Sequence, residues 1–295
     1  MEKNNTIDTI TGVGAGYAVY KFVPQPLFSA RKLLLKNNLD KPLTETQVAE
    51  FKKITIDLFE RKFKPQGASI VDVSTVEGAK YIKDRTDEMV KEFDDSIKDS
   101  KNFIQRAIKK YWKDYFVREN ASTNYATIQG TNAYFERGKK TFVVNMDKKP
   151  VYLFHEMGHF LDYLDPKVAL TMKVWKNPIF QKSYLTAILA TALFTNKKSK
   201  EEVDEIKNPI VKSAHFTKKH CGILATALLL PAALEECMAN IQGQKLAKEV
   251  VPKKLMSIVT KSHISSASGY LLGAVFTGVA MYLANYVRDK IVHHN

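Results

Sequence analysis

The feature that most constrains the fold is a pair of histidines four residues apart, His155 and His159, with Glu156 beside the first. They lie in the apolar-periodic run 150–162, which predicts a helix. Residues four apart share one helix face, so both imidazoles can reach one metal ion. Glu156 is then placed to hold a water molecule and to act as a general base. The alternative is a solvated helix face that carries two histidines.

Two histidines leave a catalytic zinc site incomplete, because such a site takes three protein ligands and a water molecule. Glu236 is the favoured third ligand, on a second helix in the run Leu234-Glu-Glu-Cys-Met-Ala-Asn240. Asn240, one turn further on, could hydrogen-bond a ligand histidine. Ala239 is a small residue that would let the two helices pack closely. The pattern therefore predicts one Zn²⁺ per chain, bound by His155, His159 and Glu236.

Two other carboxylates could supply the third ligand. Asp165 lies six residues after His159, and Glu235 precedes Glu236 directly. A sharp chain turn after the second histidine would favour Asp165, but such a turn uses a glycine where this chain has Asp162. Carboxylates like these more often cap a helix or lie on a helix surface than bind a metal. The residue that would stabilise an oxyanion is left open among His215, His220, Tyr152 and Tyr163.

Composition narrows the class of partner and the compartment. The net charge is +14, but only seven of the 45 basic residues are Arg. Arg is the side chain best suited to phosphate and base-edge recognition, so the excess of Lys argues against nucleic acid and fits an anionic membrane surface. Two cysteines, Cys221 and Cys237, form no disulfide framework and favour a reducing compartment such as the cytoplasm. The first residues lack the pattern of a signal peptide.

Four segments are unusually apolar: 10–20, 184–194, 221–234 and 268–287. The last has no charged residue and is long enough to cross a bilayer unaided. The second and third share the sequence Ile-Leu-Ala-Thr-Ala-Leu and are separated by a Lys-rich stretch, which predicts a helical hairpin that is partly inserted or lies on a membrane surface. The alternative is that all four are buried helices of a soluble intracellular protein.

The segments before the histidines predict helices and a hairpin. Thr44 to Gln47 is a capping box that opens a helix from Glu45 to about Phe63. Residues 69–74 alternate as a short strand, and a long charged helix is predicted over about 86–117. Residues 125–129 and 140–145 are predicted to be strands of a hairpin. A peptide substrate could be bound by strand addition to residues 141–145.

These motifs resemble those of the gluzincins, and within them the integral-membrane prenyl-protein (CAAX) endopeptidases and the related bacterial heat-shock membrane proteases. His155-Glu-Met-Gly-His159 is similar to the family's metal helix. Glu236-Cys-Met-Ala-Asn240 is similar to its E-x-x-A-D motif, with Asn in place of Asp. The segment 132–145 looks like the one that leads to its substrate-binding strand. A weaker similarity is to lethal-factor-like zinc proteases, which also have the form H-E-x-G-H-x-x-D.

The resemblance implies a zinc-dependent endopeptidase of peptide or protein substrates, with Glu156 as general base and with membrane lipid as a further partner. The expected fold class is α+β and mostly helical, with a zincin-like core, a small antiparallel sheet and apolar helices. We expect an N-terminal apolar and basic segment (1–39), a helical region (40–120), a catalytic region (121–250) with the hairpin at about 184–234, and a C-terminal candidate transmembrane helix (251–295). The alternative function is that of a membrane-associated structural or interaction protein whose metal site is not catalytic.

Overall fold

The structure, a computed structural model, describes residues 5–22 and 42–293. The strands are β1 (Ser69–Asp72), β2 (Tyr134–Glu136) and β3 (Thr141–Val144). The helices are α1 (Asn5–Phe22), α2 (Glu45–Lys62), α3 (Val76–Lys98), α4 (Phe103–Ile128), α5 (Leu153–Leu164), α6 (Pro166–Trp175), α7 (Pro178–Phe194), α8 (Lys200–Asp204), α9 (Pro209–Val250) and α10 (Lys253–His293). Residues 23–39 of the predicted N-terminal segment lie outside the described residues.

The protein is mostly helical with a small sheet, as the sequence predicts. The sheet is mixed, however, and the expectation of a purely antiparallel sheet is wrong. β2 pairs antiparallel with β3, whereas β1 pairs parallel with it. The order β1-β3-β2 makes β3 the central strand. Strand addition at residues 141–144 is therefore excluded, because both edges of β3 are already paired, and an added peptide strand would have to join β1 or β2.

The region before the sheet differs from the sequence prediction in two places. The charged segment predicted as one helix over about 86–117 is two helices, α3 and α4. Asn102 begins the second, because its side chain accepts a hydrogen bond from the backbone N–H of Gln105 at 2.8 Å. Residues 125–128, predicted to be a strand, form the last turn of α4. The hairpin consists of β2 and β3, joined by a 3₁₀ turn over Arg137–Lys139.

The chain divides into two compact units. The sheet unit comprises Lys41–Leu164 and Ala239–His263; the apolar-helix unit comprises Met1–Asp40, Asp165–Met238 and Ile264–Asn295. The division falls within α9, so this one helix contributes residues to both units.

Aromatic side chains hold the sheet unit together. Phe142 on β3 lies edge-on to Phe59 of α2 and to Phe63, which directly follows α2, with ring centroids 6.1 and 5.9 Å apart. Phe160 on α5 packs against Phe63 at 5.4 Å and against Phe135 on β2 at 5.6 Å. Burial of each such ring contributes about 1.5–3 kcal/mol. Because Phe160 follows His159 directly, this packing fixes the histidine-bearing helix against the sheet.

Small residues set the distance between α5 and the end of α9 that belongs to the sheet unit. A Cβ atom added to Gly158 would overlap the carbonyl oxygen of Ala239, and one added to Gly243 would overlap that of Phe154. The two backbones are therefore in direct contact where one helix carries a glycine. Ala239, the small residue that the sequence places at this crossing, lies at the contact with Gly158.

The apolar-helix unit has its own close helix crossing. The long helix α9 changes direction at His220, where φ is −110° and ψ is 16°. Two residues later, a Cβ atom on Gly222 would lie 2.7 Å from the carbonyl oxygen of Gly278 on α10. Such glycine contacts let helices pack closely even in lipid, where the hydrophobic effect does not drive helices together. Within the described residues, α9 and α10 are the two helices long and apolar enough to cross a membrane.

Charged side chains are buried inside this unit. Arg288 is fully buried and donates from Nε to the carbonyl of Leu193 at 2.9 Å and from Nη1 to Asp289 at 2.9 Å. Lys218 donates to the carbonyl of Ala192 at 3.0 Å and to Asp289 at 2.7 Å. Ala192 and Leu193 are in the last turn of α7, where carbonyls lack helical partners and cations are favoured. The cluster therefore caps α7.

Candidate metal centre

The two histidines of the motif face one another on α5. Their Nε2 atoms are 3.1 Å apart, and both side chains are buried. Nitrogen ligands about 2.0–2.1 Å from one tetrahedral zinc ion lie about 3.4 Å apart. The observed separation is close to that value, so both nitrogens could bind a single ion.

Asn240 determines which nitrogen of His155 carries the hydrogen. Its Oδ1 lies 3.0 Å from Nδ1 of His155. An amide oxygen can only accept, so Nδ1–H donates and the lone pair of the neutral ring is on Nε2. This is the arrangement in which a histidine ligand is oriented by an outer hydrogen bond. The hydrogen bond predicted for Asn240 is thus present.

Glu236 lies one turn before Asn240 on the same helix, α9. The ligand atoms of His155, His159 and Glu236 lie within 4.8 Å of one another, and all three residues are buried. Two imidazole nitrogens and a carboxylate oxygen are a donor set that zinc accepts. A His/Glu group that could hold a metal ion is therefore present. Glu156, the predicted base, follows His155 directly on α5 and is buried.

The two alternative carboxylates have different surroundings. Asp165 accepts a hydrogen bond from the backbone N–H of Lys167 at 2.9 Å, which is a capping role at the start of α6. It belongs to neither of the ligand groups found among the described residues. Glu235 forms a second such group with His159 and Asp162. The sequence contained a signal for Asp162, since it completes the form H-E-x-G-H-x-x-D.

Lys176 is a residue of this site that the sequence motifs did not indicate. It follows the last residue of α6, and its Nζ lies 2.6 Å from Oε1 of Glu236. It also forms an ion pair with Glu235, whose side chain is fully buried. No motif signals a lone lysine in a connecting segment, so only the folded chain shows this contact.

His263 is a second residue that the sequence did not single out. It is buried, and its ring centroid lies 6.4 Å from that of His155. Its Nδ1–H donates to Oε1 of Gln244 at 3.2 Å, while the amide nitrogen of Gln244 donates to Thr260 at 2.7 Å. The lone pair of its neutral ring is consequently on Nε2. Burial, and secondarily the proximity of His155, lower the pKa of His263 to about 3, so the ring is uncharged at neutral pH.

The four candidates for oxyanion stabilisation lie in varied surroundings. Tyr163 packs against Phe135 with ring centroids 6.0 Å apart, and Tyr152 lies under the ammonium of Lys149 at 5.7 Å. His215 is buried in α9, and His220 is at the kink of that helix. These contacts do not single out one of the four.

Comparisons with protein-family models, with curated proteins and with solved structures found no match to this chain.

Proposed function

We propose that the chain is a zinc-dependent endopeptidase of the gluzincin type, with His155, His159 and Glu236 as metal ligands and Glu156 as general base. The observation that carries the proposal is the geometry of His155. Its Nδ1 is held by Asn240 at 3.0 Å while its Nε2 lies 3.1 Å from that of His159. The hydrogen bond to Asn240 leaves the lone pair of the neutral His155 ring on Nε2, beside Nε2 of His159, which is how an oriented histidine ligand is arranged.

The chemistry follows from what these side chains can do. When bound, zinc would polarise a peptide carbonyl and lower the pKa of a water molecule to about 7. Glu156 accepts the proton of the attacking water and then delivers it to the leaving amine nitrogen. Asn240 would hold His155 in the tautomer whose lone pair is on Nε2, the nitrogen proposed to bind the metal. Burial of the group excludes bulk water, which strengthens each electrostatic contact.

The proposal places the protein at a membrane, with its catalytic region in a reducing compartment. In support of this, α9 and α10 are long and apolar enough to cross a bilayer, and only 33% and 28% of their apolar windows are buried within the protein. Both Cys221 and Cys237 are free thiols. Membrane lipid would then be a partner in addition to the peptide or protein substrate.

Metal analysis and a peptide library test the proposal together. Purified protein should contain one zinc ion per chain and should cleave peptides. Glu156→Gln should retain the zinc and lower the rate by about a hundredfold or more, the effect of losing a general base. Glu92→Gln, on the exposed face of α3, is the matched control and should be fully active. Equal rates for wild type and Glu156→Gln would contradict the assignment of the base.

A non-catalytic metal site in a membrane-associated structural or interaction protein is the second candidate. It is favoured by the burial of the site, since His155, Glu156, His159 and Glu236 are all at most 9% exposed. A structural zinc site is closed, whereas a catalytic one keeps an open position. Stoichiometric zinc without hydrolysis of any library peptide, and with zinc loss that unfolds the chain, would support this second function instead.

A further inference from the structure

We propose that Lys176 is a catalytic residue that donates a hydrogen bond to the substrate carbonyl oxygen and stabilises the negative charge that develops there. This inference rests on the proposed peptidase function, because it assigns the electrophilic partner that peptide hydrolysis needs besides the metal and the base. The sequence offered only histidines and tyrosines for this role.

The position of the Lys176 ammonium is the first argument. Nζ lies 2.6 Å from Oε1 of Glu236, one of the three residues of the proposed ligand group. Each of these three residues offers a ligand atom within 4.8 Å of the other two. The ammonium is therefore in direct contact with one residue of the group that would bind the metal.

The second argument is the number of donors. An ammonium group has three N–H donors, and the ion pairs with Glu235 and Glu236 use two of them. Glu235 is buried and cannot remain charged at low cost without a cation beside it. The ion pair with Glu235 therefore keeps Lys176 in place even when the carboxylate of Glu236 binds a metal ion. The third N–H of the ammonium group then remains for the substrate.

The third argument is that the backbone around Lys176 is fixed. The carbonyl of Trp175 accepts a hydrogen bond from the side chain of Gln181 at 2.5 Å. Asn177 caps α7 by accepting from the backbone N–H of Ile179 at 2.9 Å and of Phe180 at 3.2 Å. Residues on both sides of Lys176 are therefore held in place. A donor that is positioned before the reaction stabilises developing charge most effectively.

Lys176 is also accessible to a substrate. Its side chain is 25% exposed, whereas the side chains of Glu235 and Glu236 are 0% and 8% exposed. The ammonium therefore contacts the buried carboxylates of Glu235 and Glu236 while the Lys176 side chain is partly exposed to solvent.

The test is Lys176→Met, which removes the charge and nearly preserves the shape, with Lys173→Met on the exposed face of α6 as the matched control. We expect kcat to fall about a hundredfold to a thousandfold, the effect of losing one oxyanion donor, while KM changes less than about threefold. Zinc should stay at one per chain. Lys173→Met should have the wild-type kcat.

A second measurement separates catalysis from a structural role. A phosphinic pseudopeptide, built on the best peptide from the library, mimics the tetrahedral anion and can be titrated by calorimetry into zinc-loaded protein. Lys176→Met should weaken its binding by the same factor as kcat, whereas Lys176→Arg should recover part of both. A Lys176→Met protein that loses zinc, or that keeps kcat and inhibitor affinity, would overturn the inference. If the wild-type protein itself lacks zinc and peptidase activity, the proposed function fails, and the role of Lys176 fails with it.

Discussion

The two units of this protein differ in the cations that they bury. In the sheet unit, aromatic and aliphatic residues such as Phe142 and Phe160 are fully buried, and no lysine or arginine of its described residues is buried. In the apolar-helix unit, Arg288 is fully buried and Lys218 nearly so, beside a separate cluster of buried apolar residues, while Ile223 is 70% exposed. Within the described part of the chain, the contrast thus lies in the paired cations that the apolar-helix unit buries.

The difference is the one expected if the apolar-helix unit faces lipid and the sheet unit faces water. A water-soluble unit is stabilised by removing apolar surface from water. In lipid, apolar side chains can remain on the outside, helices associate through small residues, and charges are turned inward and paired. The Gly222–Gly278 crossing and the Arg288–Asp289–Lys218 cluster fit the second description. We therefore expect substitutions of equal chemistry to act differently in the two units.

The largest expected effect concerns the metal site. Glu236→Ala removes one proposed ligand, and zinc affinity should fall roughly a hundredfold to a thousandfold, since a binding free energy of about 10–16 kcal/mol is shared among the ligands. Metal content after dialysis against a weak chelator measures this. Asp165→Ala and Glu235→Ala are the comparisons, and both should keep near-stoichiometric zinc. Loss of zinc with Asp165→Ala and retention with Glu236→Ala would reverse the ligand assignment.

A matched pair of substitutions tests the contrast between the units directly. Val275 on α10 and Val76 on α3 are 46% and 81% exposed. Val275→Lys should disfavour membrane insertion by roughly 3 kcal/mol, because a lysine at the centre of a spanning helix faces hydrocarbon. Val76→Lys should have no comparable effect, because Val76 faces water. The measurement is the fraction of protein that remains with membranes after a carbonate wash. Equal behaviour of the two variants would show that both units face water.

The close contact between α5 and α9 gives the next effect in size. Gly158→Ala should destabilise the sheet unit by about 1–3 kcal/mol, because the new Cβ overlaps the carbonyl oxygen of Ala239. Gly14→Ala on α1 is the control: no atom lies within 4 Å of its added Cβ. This control should be neutral or stabilising by up to about 1 kcal/mol, as is usual for such a change in a helix. The midpoints of thermal unfolding of the two variants measure these effects. A Gly158→Ala midpoint equal to that of wild type would show that the contact between α5 and α9 is loose.

Local patterns predicted the parts of the site that lie on regular helices. The histidine spacing predicted α5, and the distance from Glu236 to Asn240 predicted the hydrogen bond to His155, because both follow from the helical repeat. The capping box at Thr44 likewise predicted the start of α2. Each of these depends on residues that are close in sequence.

The parts that sequence did not predict depend on contacts between distant residues or on weak local signals. β3 became the central strand because Ser69–Asp72 pairs with it, and nothing in residues 141–144 indicates that partner. The break between α3 and α4 depends on a single capping residue, Asn102, inside a continuous charged pattern. Lys176 and His263 carry no motif, and their proximity to the site appears only once the helices have packed.

The smallest expected effect is a pH dependence that belongs to the sheet unit. The pKa of His263 is about 3 in the folded protein, below its ordinary value of 6.5, so the unfolded chain takes up a proton that the folded one does not. The contribution of the neutral His263 ring to the free energy of unfolding is therefore fully present above pH 6.5 and is lost as the pH falls from 6.5 toward 3. Lowering the pH from 7 to 5.5 should reduce the free energy of unfolding by about 1 kcal/mol through this residue alone. Denaturant unfolding of metal-free wild-type protein and of His263→Gln should show a steeper loss in the wild type. Parallel curves over this range would mean that His263 is protonated in the folded state and is not buried as a neutral ring.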